Sequence, residues 1–481
     1  MYRERIDAYI DSKKDEMLSD LALLVRINSQ KGAASDGKPF GEGPAAALAE
    51  GEALMKKYGL ITKNYDNYVV TGDFSEAEKG LDVLAHLDVV PVTEDWKVTQ
   101  PFEPKIVDGK IYGRGTADDK GPAIAALYAL RAIKELGIPM KRSVRLILGS
   151  DEECGSSDLA YYYNIEKEAP YSFTPDADFP VINIEKGRLE GSFHAELADG
   201  LKLPGIVSAK SGDKANVVPQ RARFVVAGLE KSVILEAAEQ LNRETGVSFA
   251  VEEASAQETV GCPEGASVYA VDVRGQAAHA STPQEGKNAL TAMLRLISRL
   301  PLAESEGQKV LAALDSLFPY EDVCGKALGI YREDAESGAL TLSFSILDYT
   351  AEKMSGTFDA RLPIGCTEEN TKVPVTEKLA ACGIVMEDVP MVKPHCVPGD
   401  SAFVKTLLGS YERYTGVKGE PLSTGGGTYV HNLERGVAYG CASPEVDNHM
   451  HGDDEFMVID ALTMSAKIFA DAIIKICNKL D

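Results

Sequence analysis

Three short stretches of this sequence gather histidine and carboxylate side chains at spacings that suit metal ligation. The first, LAHLDVVP, sets His86 two residues before Asp88. Residues two apart on a strand point the same way. Asp88 can therefore accept from a ring N–H of His86 and fix the tautomer that offers the other ring nitrogen to a metal. The second, GRGTADDKG, puts Asp118 and Asp119 in a turn that Gly113, Gly115 and Gly121 make possible. Adjacent carboxylates are costly unless a cation neutralises them, and they would repel a phosphate. The third, GSDEECGSSD, carries Asp151, Glu152 and Glu153. Among neighbouring carboxylates, one can bind a metal while another acts as general base, its pKa set by the field of the cation. Taken singly, each stretch also has a plain structural reading: a chance His-x-Asp, a solvated acidic turn, or a helix start where acids are favoured.

The surrounding pattern places all three at strand ends. An amphipathic helix is predicted over 3–27, and a second over PAAALAEGEALMKKYG, stopped by Gly59. A buried strand follows over 81–87, a small-residue helix over 121–136, an apolar strand over 143–149 and a helix over 156–167. Strands alternating with helices imply an α/β domain with a mostly parallel sheet flanked by helices. In such sheets functional groups collect at the carboxyl ends of strands, so the loops after 87 and 149 should hold the chemistry. Beyond about residue 188 the pattern changes. RLEGSFHAEL, RARFVVAG, ASVYAVDVRG and TLSFSILDYT read as amphipathic antiparallel strands, with helices over 229–244 and 287–300 between them. The reading is an α+β insertion over 189–385, enclosed by a first domain made of 1–188 and 386–481. A last helix over 458–479 closes that domain.

Composition narrows the partners. A chain of 481 residues is too long for one core, and two domains is the natural expectation. A formal net charge of −24 argues against nucleic acid and anionic membrane surfaces. The eight cysteines (154, 262, 324, 366, 382, 396, 441 and 477) are scattered, with no C-x-x-C pair. That suits reduced thiols in a reducing compartment. No apolar run is long enough for a membrane span, and a cytoplasmic location is expected.

Together, H-x-D, G-R-G-x-x-D-D-K-G and D-E-E resemble the motif series of the metallopeptidase family that includes acetylornithine deacetylase, succinyl-diaminopimelate desuccinylase and related carboxypeptidases. The TPDADFP and STGGGTY segments are most similar to its PepV-type dipeptidase branch. The resemblance implies a catalytic domain carrying a lid, two divalent ions per chain (Zn2+, with Mn2+ or Co2+ as alternatives) and a dipeptide substrate. It implies that His86 and Asp176 hold one ion, that Glu153 and His451 hold the other, and that Asp118 is shared. It makes Glu152 the general base, has Asp88 orient His86, and leads us to expect a cis bond between Asp118 and Asp119. His449 is the rival to His451, which Asp454 and Glu455 favour by their spacing behind it. His279, in GQAAHASTP, would reach the oxyanion of the scissile carbonyl, and Asn216 would contact the substrate. Arg361 and the N–H groups of Gly426 and Gly427 would take the substrate carboxylate. Trp96 would lie near the rim. His194, His395 and His431 are read as structural or exposed.

The expected reaction is hydrolysis of dipeptides with a free amino terminus. Deacylation of N-acyl amino acids and carboxypeptidase action are the alternatives, since one metal centre can cut all these amides. A non-catalytic metal- or peptide-binding protein is the rival from another class. A nucleotide-binding oxidoreductase lacks its G-x-G-x-x-G turn here. The long lid would act as an internal partner, so a monomer is expected.

Overall fold

The computed structural model describes residues 2–443 and 445–480. They form two compact units, one of residues up to Ile184 and from Cys396 onward, the other from Glu185 to His395.

The first unit is built on a mostly parallel sheet. Its main strands lie in the order Ile61–Tyr65, Val69–Asp73, Ser143–Gly149, Lys79–His86, Ser172–Thr174, Gly436–Ala438, Ile182–Glu185. The middle four run parallel, and antiparallel pairings flank them. Lys79–His86 and Ser143–Gly149 are buried almost throughout, which is why they read as unbroken apolar runs rather than as alternation. Val83, Ala85, Leu146 and Leu148 face the main core, beneath helices that include Lys14–Val25, Lys120–Glu135 and Ile459–Lys479. Leu84 and Ile147 face a smaller cluster with Leu159, Tyr162, Tyr429 and Val430. No helix among the described residues is long and apolar enough to cross a membrane.

Two helices depart from expectation. The stretch 3–27 forms Arg3–Ser12 and Lys14–Val25. Lys13 breaks it, its N–H shared between the carbonyls of Tyr9 and Ile10. The helix expected over 156–167 is Ser157–Tyr163.

The second unit is an antiparallel sheet of eight strands. Their order is Ser248–Glu253, Val268–Arg274, Arg221–Ala227, Gly205–Ser211, Thr341–Thr350, Lys353–Leu362, Gly187–Glu196, Val385–Met386. Gly187–Glu196 buries every second residue, the mark of a sheet with one covered face. Helices Lys231–Thr245, Ala289–Ile297, Glu306–Leu317 and Val373–Ala381 share its core with Phe193, Phe224, Phe344 and Phe358. The unit is longer than the 189–385 read from sequence. Val385–Met386 pairs with Gly187–Glu196, and Val392 bridges Arg188. The chain therefore stays with this sheet well past 385.

Candidate metal centre

Three neighbouring parallel strands deliver the acidic and histidine side chains to one edge of the first unit. His86 ends Lys79–His86, the turn Glu152–Cys154 follows Ser143–Gly149, and Asp176 follows Ser172–Thr174. The turn before helix Lys120–Glu135 adds Asp118, and the loop before strand Phe456–Val458 adds His451. Their ligand atoms meet in two triads, His86–Asp118–Asp176 and Asp118–Glu153–His451. Asp118 gives one oxygen to each. Its Oδ1 lies 2.9 Å from His86 Nε2, and its Oδ2 2.7 Å from His451 Nε2. Asp176 Oδ2 stands 3.5 Å from His86 Nε2, and Glu153 Oε1 3.2 Å from His451 Nε2.

The supports differ from the sequence reading at Asp88. The nearest partner of His86 Nδ1 is the backbone oxygen of Asp88, at 3.1 Å; its carboxylate is farther, at 3.4 Å. A carbonyl only accepts, so the neutral ring carries its proton on Nδ1 and presents a lone pair at Nε2. The Asp88 carboxylate has other work. It accepts the backbone N–H groups of Glu152 (3.2 Å) and Glu153 (3.1 Å), tying their turn to the strand of His86. Asp119 is fully buried and accepts the N–H of His86 at 3.0 Å. The Asp118–Asp119 bond is cis, as expected.

The electrostatics are those of crowded acids. Burial raises the carboxyl pKa of Glu152, Glu153 and Asp176, and their mutual repulsion and that of Asp118 add to it. Burial disfavours a charged His86, but Asp118, Asp176 and Asp88 outweigh that and hold its pKa well above the usual range. Hydrogen bonding to Asp118 and Glu153 pushes His451 up to about 11. Without a cation, the cluster holds protons to relieve its charge. Two atoms fit a cation better. His86 Nε2 and Glu153 Oε1 are buried and make no well-directed hydrogen bond, although each stands within 3.5 Å of another ligand atom of the cluster. A divalent ion in each triad would satisfy both and neutralise the carboxylates, and the mixed imidazole and carboxylate donors suit zinc or manganese.

Four further side chains matter here. Arg114 and Glu455 form a buried ion pair, legible beforehand only as the arginine of G-R-G and as a residue marking the spacing behind His451. Lys120, of the D-D-K run, is buried, donates to the carbonyl of Ile27 at 2.9 Å, and is pushed down to about 7 by burial. Trp96, expected near the rim, is largely buried, with the Arg114 guanidinium over its ring.

The expected substrate residues divide between the units. In the second unit, Asn216 and His279 are brought together by a two-stranded pairing. Val217 opposes His279, and the N–H of Ala280 donates to the Asn216 carbonyl at 2.9 Å. His279 Nδ1 accepts the N–H of Ser281 at 3.1 Å, so a neutral ring carries its proton on Nε2, as a hydrogen-bond donor. Arg361 differs from expectation. It is buried, and its Nε and Nη2 grip Asp359 at 2.6 and 2.9 Å. The bidentate edge meant for a substrate carboxylate is filled from within the protein. In the first unit, the N–H of Gly426 donates to Thr424 Oγ1 at 3.1 Å, so it is engaged rather than open, while Gly427 is exposed.

An α/β unit that collects histidines and carboxylates in two linked triads beside its strand ends has the donor set of a divalent-metal site. Comparison with known proteins makes this specific: the chain belongs to peptidase family M20/M25/M40, whose family model matches residues 83–475. It is 35% identical over 476 residues to the beta-Ala-Xaa dipeptidase of Lactobacillus delbrueckii subsp. lactis, covering 96% of each chain. It is 34% identical to the putative dipeptidase YtjP of Bacillus subtilis (strain 168), covering 97% of this chain and 98% of that one. Among solved structures, human carnosine dipeptidase 1 shares the fold with a TM-score of 0.62 at 15% identity, covering 99% of both chains.

Proposed function

We propose that this enzyme hydrolyses the peptide bond of dipeptides bearing a free amino terminus, with two divalent ions at the strand-end cluster. One observation carries the reading: five side chains distant in sequence meet in two triads that share Asp118. The dipeptidase names of relatives matching nearly the whole chain support the substrate class. His86 and Asp176 would hold one ion, Glu153 and His451 the other, with Asp118 common to both. Bound there, the cations supply Lewis-acid polarisation and a water that ionises near neutral pH.

The protein's own groups do the rest. Glu152 takes a proton from the attacking water on its carboxylate and returns it to the departing amine. Asp88 fixes the turn of Glu152 and Glu153, and its carbonyl sets the ring of His86. On the second unit, Asn216 and His279 are proposed to act on the substrate, with His279 donating from Nε2 to the developing oxyanion. The N–H of Gly427 is proposed for the substrate carboxylate. Zinc is the preferred metal, with manganese or cobalt as substitutes. We propose a monomer in the cytoplasm, consistent with the free thiols of Cys154, Cys262, Cys324, Cys366, Cys382, Cys441 and Cys477.

The test is to strip the metal, add back single metals, and assay a dipeptide panel beside the N-acetylated forms. Cleavage restored by metal and restricted to free dipeptides is the expected result. Preference for the acetylated forms would make the enzyme a deacylase instead.

A further inference from the structure

The loop that carries His451 is the least regular part of the cluster. His449, His451 and Asp454, none of them glycine, have φ of +57°, +63° and +55°. Such left-handed conformations are unfavourable and persist only where surrounding contacts impose them. The contacts that impose them here are specific. Arg114 is almost fully buried. Its Nη2 donates to the carbonyls of His451 (3.3 Å) and Gly452 (3.0 Å), and its Nη1 pairs with Glu455 Oε2 at 2.6 Å. The other oxygen of Glu455 accepts the N–H groups of Ala117 (2.9 Å) and Asp118 (3.3 Å). The N–H of Gly113 donates to the Glu455 carbonyl at 3.0 Å, and Asp454 Oδ1 accepts from the N–H groups of Lys97 and Val98.

One ion pair thus joins the backbone of the shared Asp118 to the backbone of His451. We propose that Arg114 and Glu455 are positioning residues that hold His451 against Asp118 and thereby set the affinity of the Asp118–Glu153–His451 triad for its ion. The inference rests on the two-ion reading above. It also makes the pair bear most on one ion, because Asp118 is common to both triads while only His451 is held through Arg114. In the other triad, His86 and Asp176 are placed by strand ends, and His86 by Asp119 as well. Fully buried ion pairs are weak evidence for net stability, so their value here is geometric: a two-pronged arginine reads two consecutive carbonyls of the ligand loop.

The experiment measures binding, not turnover alone. Full-length wild type, Glu455→Gln and the double variant R114M/E455Q are stripped of metal and titrated with Zn2+ and with Mn2+ against competing chelators. Removing one charge of a buried pair can unfold a chain, and the double variant avoids that by removing both. The expected result is that the variants keep one ion at wild-type affinity and bind the second about 10–100-fold more weakly, the usual penalty for losing a ligand's support. Excess metal should then restore activity. A purely structural role would lower the melting temperature without separating the two affinities. Two ions bound as tightly as in the wild type would overturn the inference and leave the dipeptidase reading standing, as would equal weakening of both. Wild type that binds no second ion would overturn the two-ion reading, and the inference with it.

Discussion

The two ligand triads are built in opposite ways. His86 and Asp176 come from the ends of adjacent parallel strands, and the His86 side chain is 1% exposed. Its main chain is tied to Asp119 and its ring to the carbonyl of Asp88. His451 comes from an irregular loop, and its side chain is 52% exposed. The strand-end half gains its geometry from a packed core, which few local changes can shift. The loop half gains its geometry from a handful of polar contacts. Asp118 belongs to both, so its own turn must be fixed from both sides, by strand-end packing and by Glu455. The lesson is that one centre can combine a rigid half with an adjustable one, and that the two should respond differently to the same insult.

The largest effect should fall where the halves meet. Asp118→Asn should lose both ions and bring turnover to background. Glu152→Ala sits on the same turn as a ligand but is proposed to bind none. It should cut turnover by roughly 10²–10⁴-fold while metal analysis still finds both ions. Loss of metal from Glu152→Ala would move Glu152 into the ligand set.

Single-histidine variants then separate the halves. His86→Ala opens a hole beside the buried acids and removes a core group, so it should lose its ion and destabilise the chain by about 2–4 kcal/mol. His451→Ala should lose its ion with a much smaller change in the melting temperature of the metal-free protein, because its side chain is half in solvent. Equal losses of stability, read by thermal melts without metal, would show the halves to be equally structural.

Dryness on the strand-end side also gives a pH signature. Asp158 is fully buried, accepts from the N–H groups of Ser150 and Asp151 and from the Tyr429 hydroxyl, and burial raises its pKa to about 6 despite those bonds. A carboxyl with a folded-state pKa above its unfolded value is favoured protonated in the fold. Its contribution is therefore most favourable below about pH 4 and is lost as pH rises through about 6. Asp158→Asn removes that titration. Its stability relative to wild type should increase between pH 4 and 6.5, by up to about 3 kcal/mol for a shift of two pKa units. A difference independent of pH, in denaturant melts across that range, would contradict the assignment.

The same contrast explains what could be read from the sequence. Strand ends announce themselves: LAHLDVVP and SVRLILGSDEE set polar groups directly after apolar runs, so a mostly parallel sheet and the acidic loops after 87 and 149 were legible, whereas the strands Ile61–Tyr65, Val69–Asp73 and Ser172–Thr174 were not. Asp176 and His451 were legible only through family resemblance, since no periodicity leads up to the loops that hold them. Local pattern could not reveal partners distant in the chain. The pairing of Arg114 with Glu455, and of Asp359 with Arg361, depends on where the fold carries each charge. The second of these fills a guanidinium edge that sequence left open for substrate. The end of the inserted unit was misread for a related reason. A two-residue edge strand, Val385–Met386, carries no alternation to read, yet its pairing holds the chain to the second sheet.

The smallest effects should still divide along the same line, at two glycines. Gly149 closes the strand Ser143–Gly149. A Cβ there would overlap the hydroxyl of Tyr429 and come within 2.5 Å of Asp158 Oδ2. Both side chains are buried and bonded to each other, so neither can swing away cheaply. Gly149→Ala should therefore cost about 1–3 kcal/mol, as overpacking does. The shift should also loosen the start of the turn bearing Glu152 and lower kcat. Gly452 lies in the His451 loop, where the nearest atom a Cβ would meet is the carbonyl oxygen of His449, at 3.1 Å. Gly452→Ala should cost no more than about 0.5 kcal/mol, in the range of surface substitutions, because the loop can yield by a few tenths of an ångström. Chemical denaturation of the two variants side by side makes the comparison direct. A cost at Gly452 as large as that at Gly149 would mean that the loop is packed as tightly as the strand ends, and the division between a rigid and an adjustable half would fail.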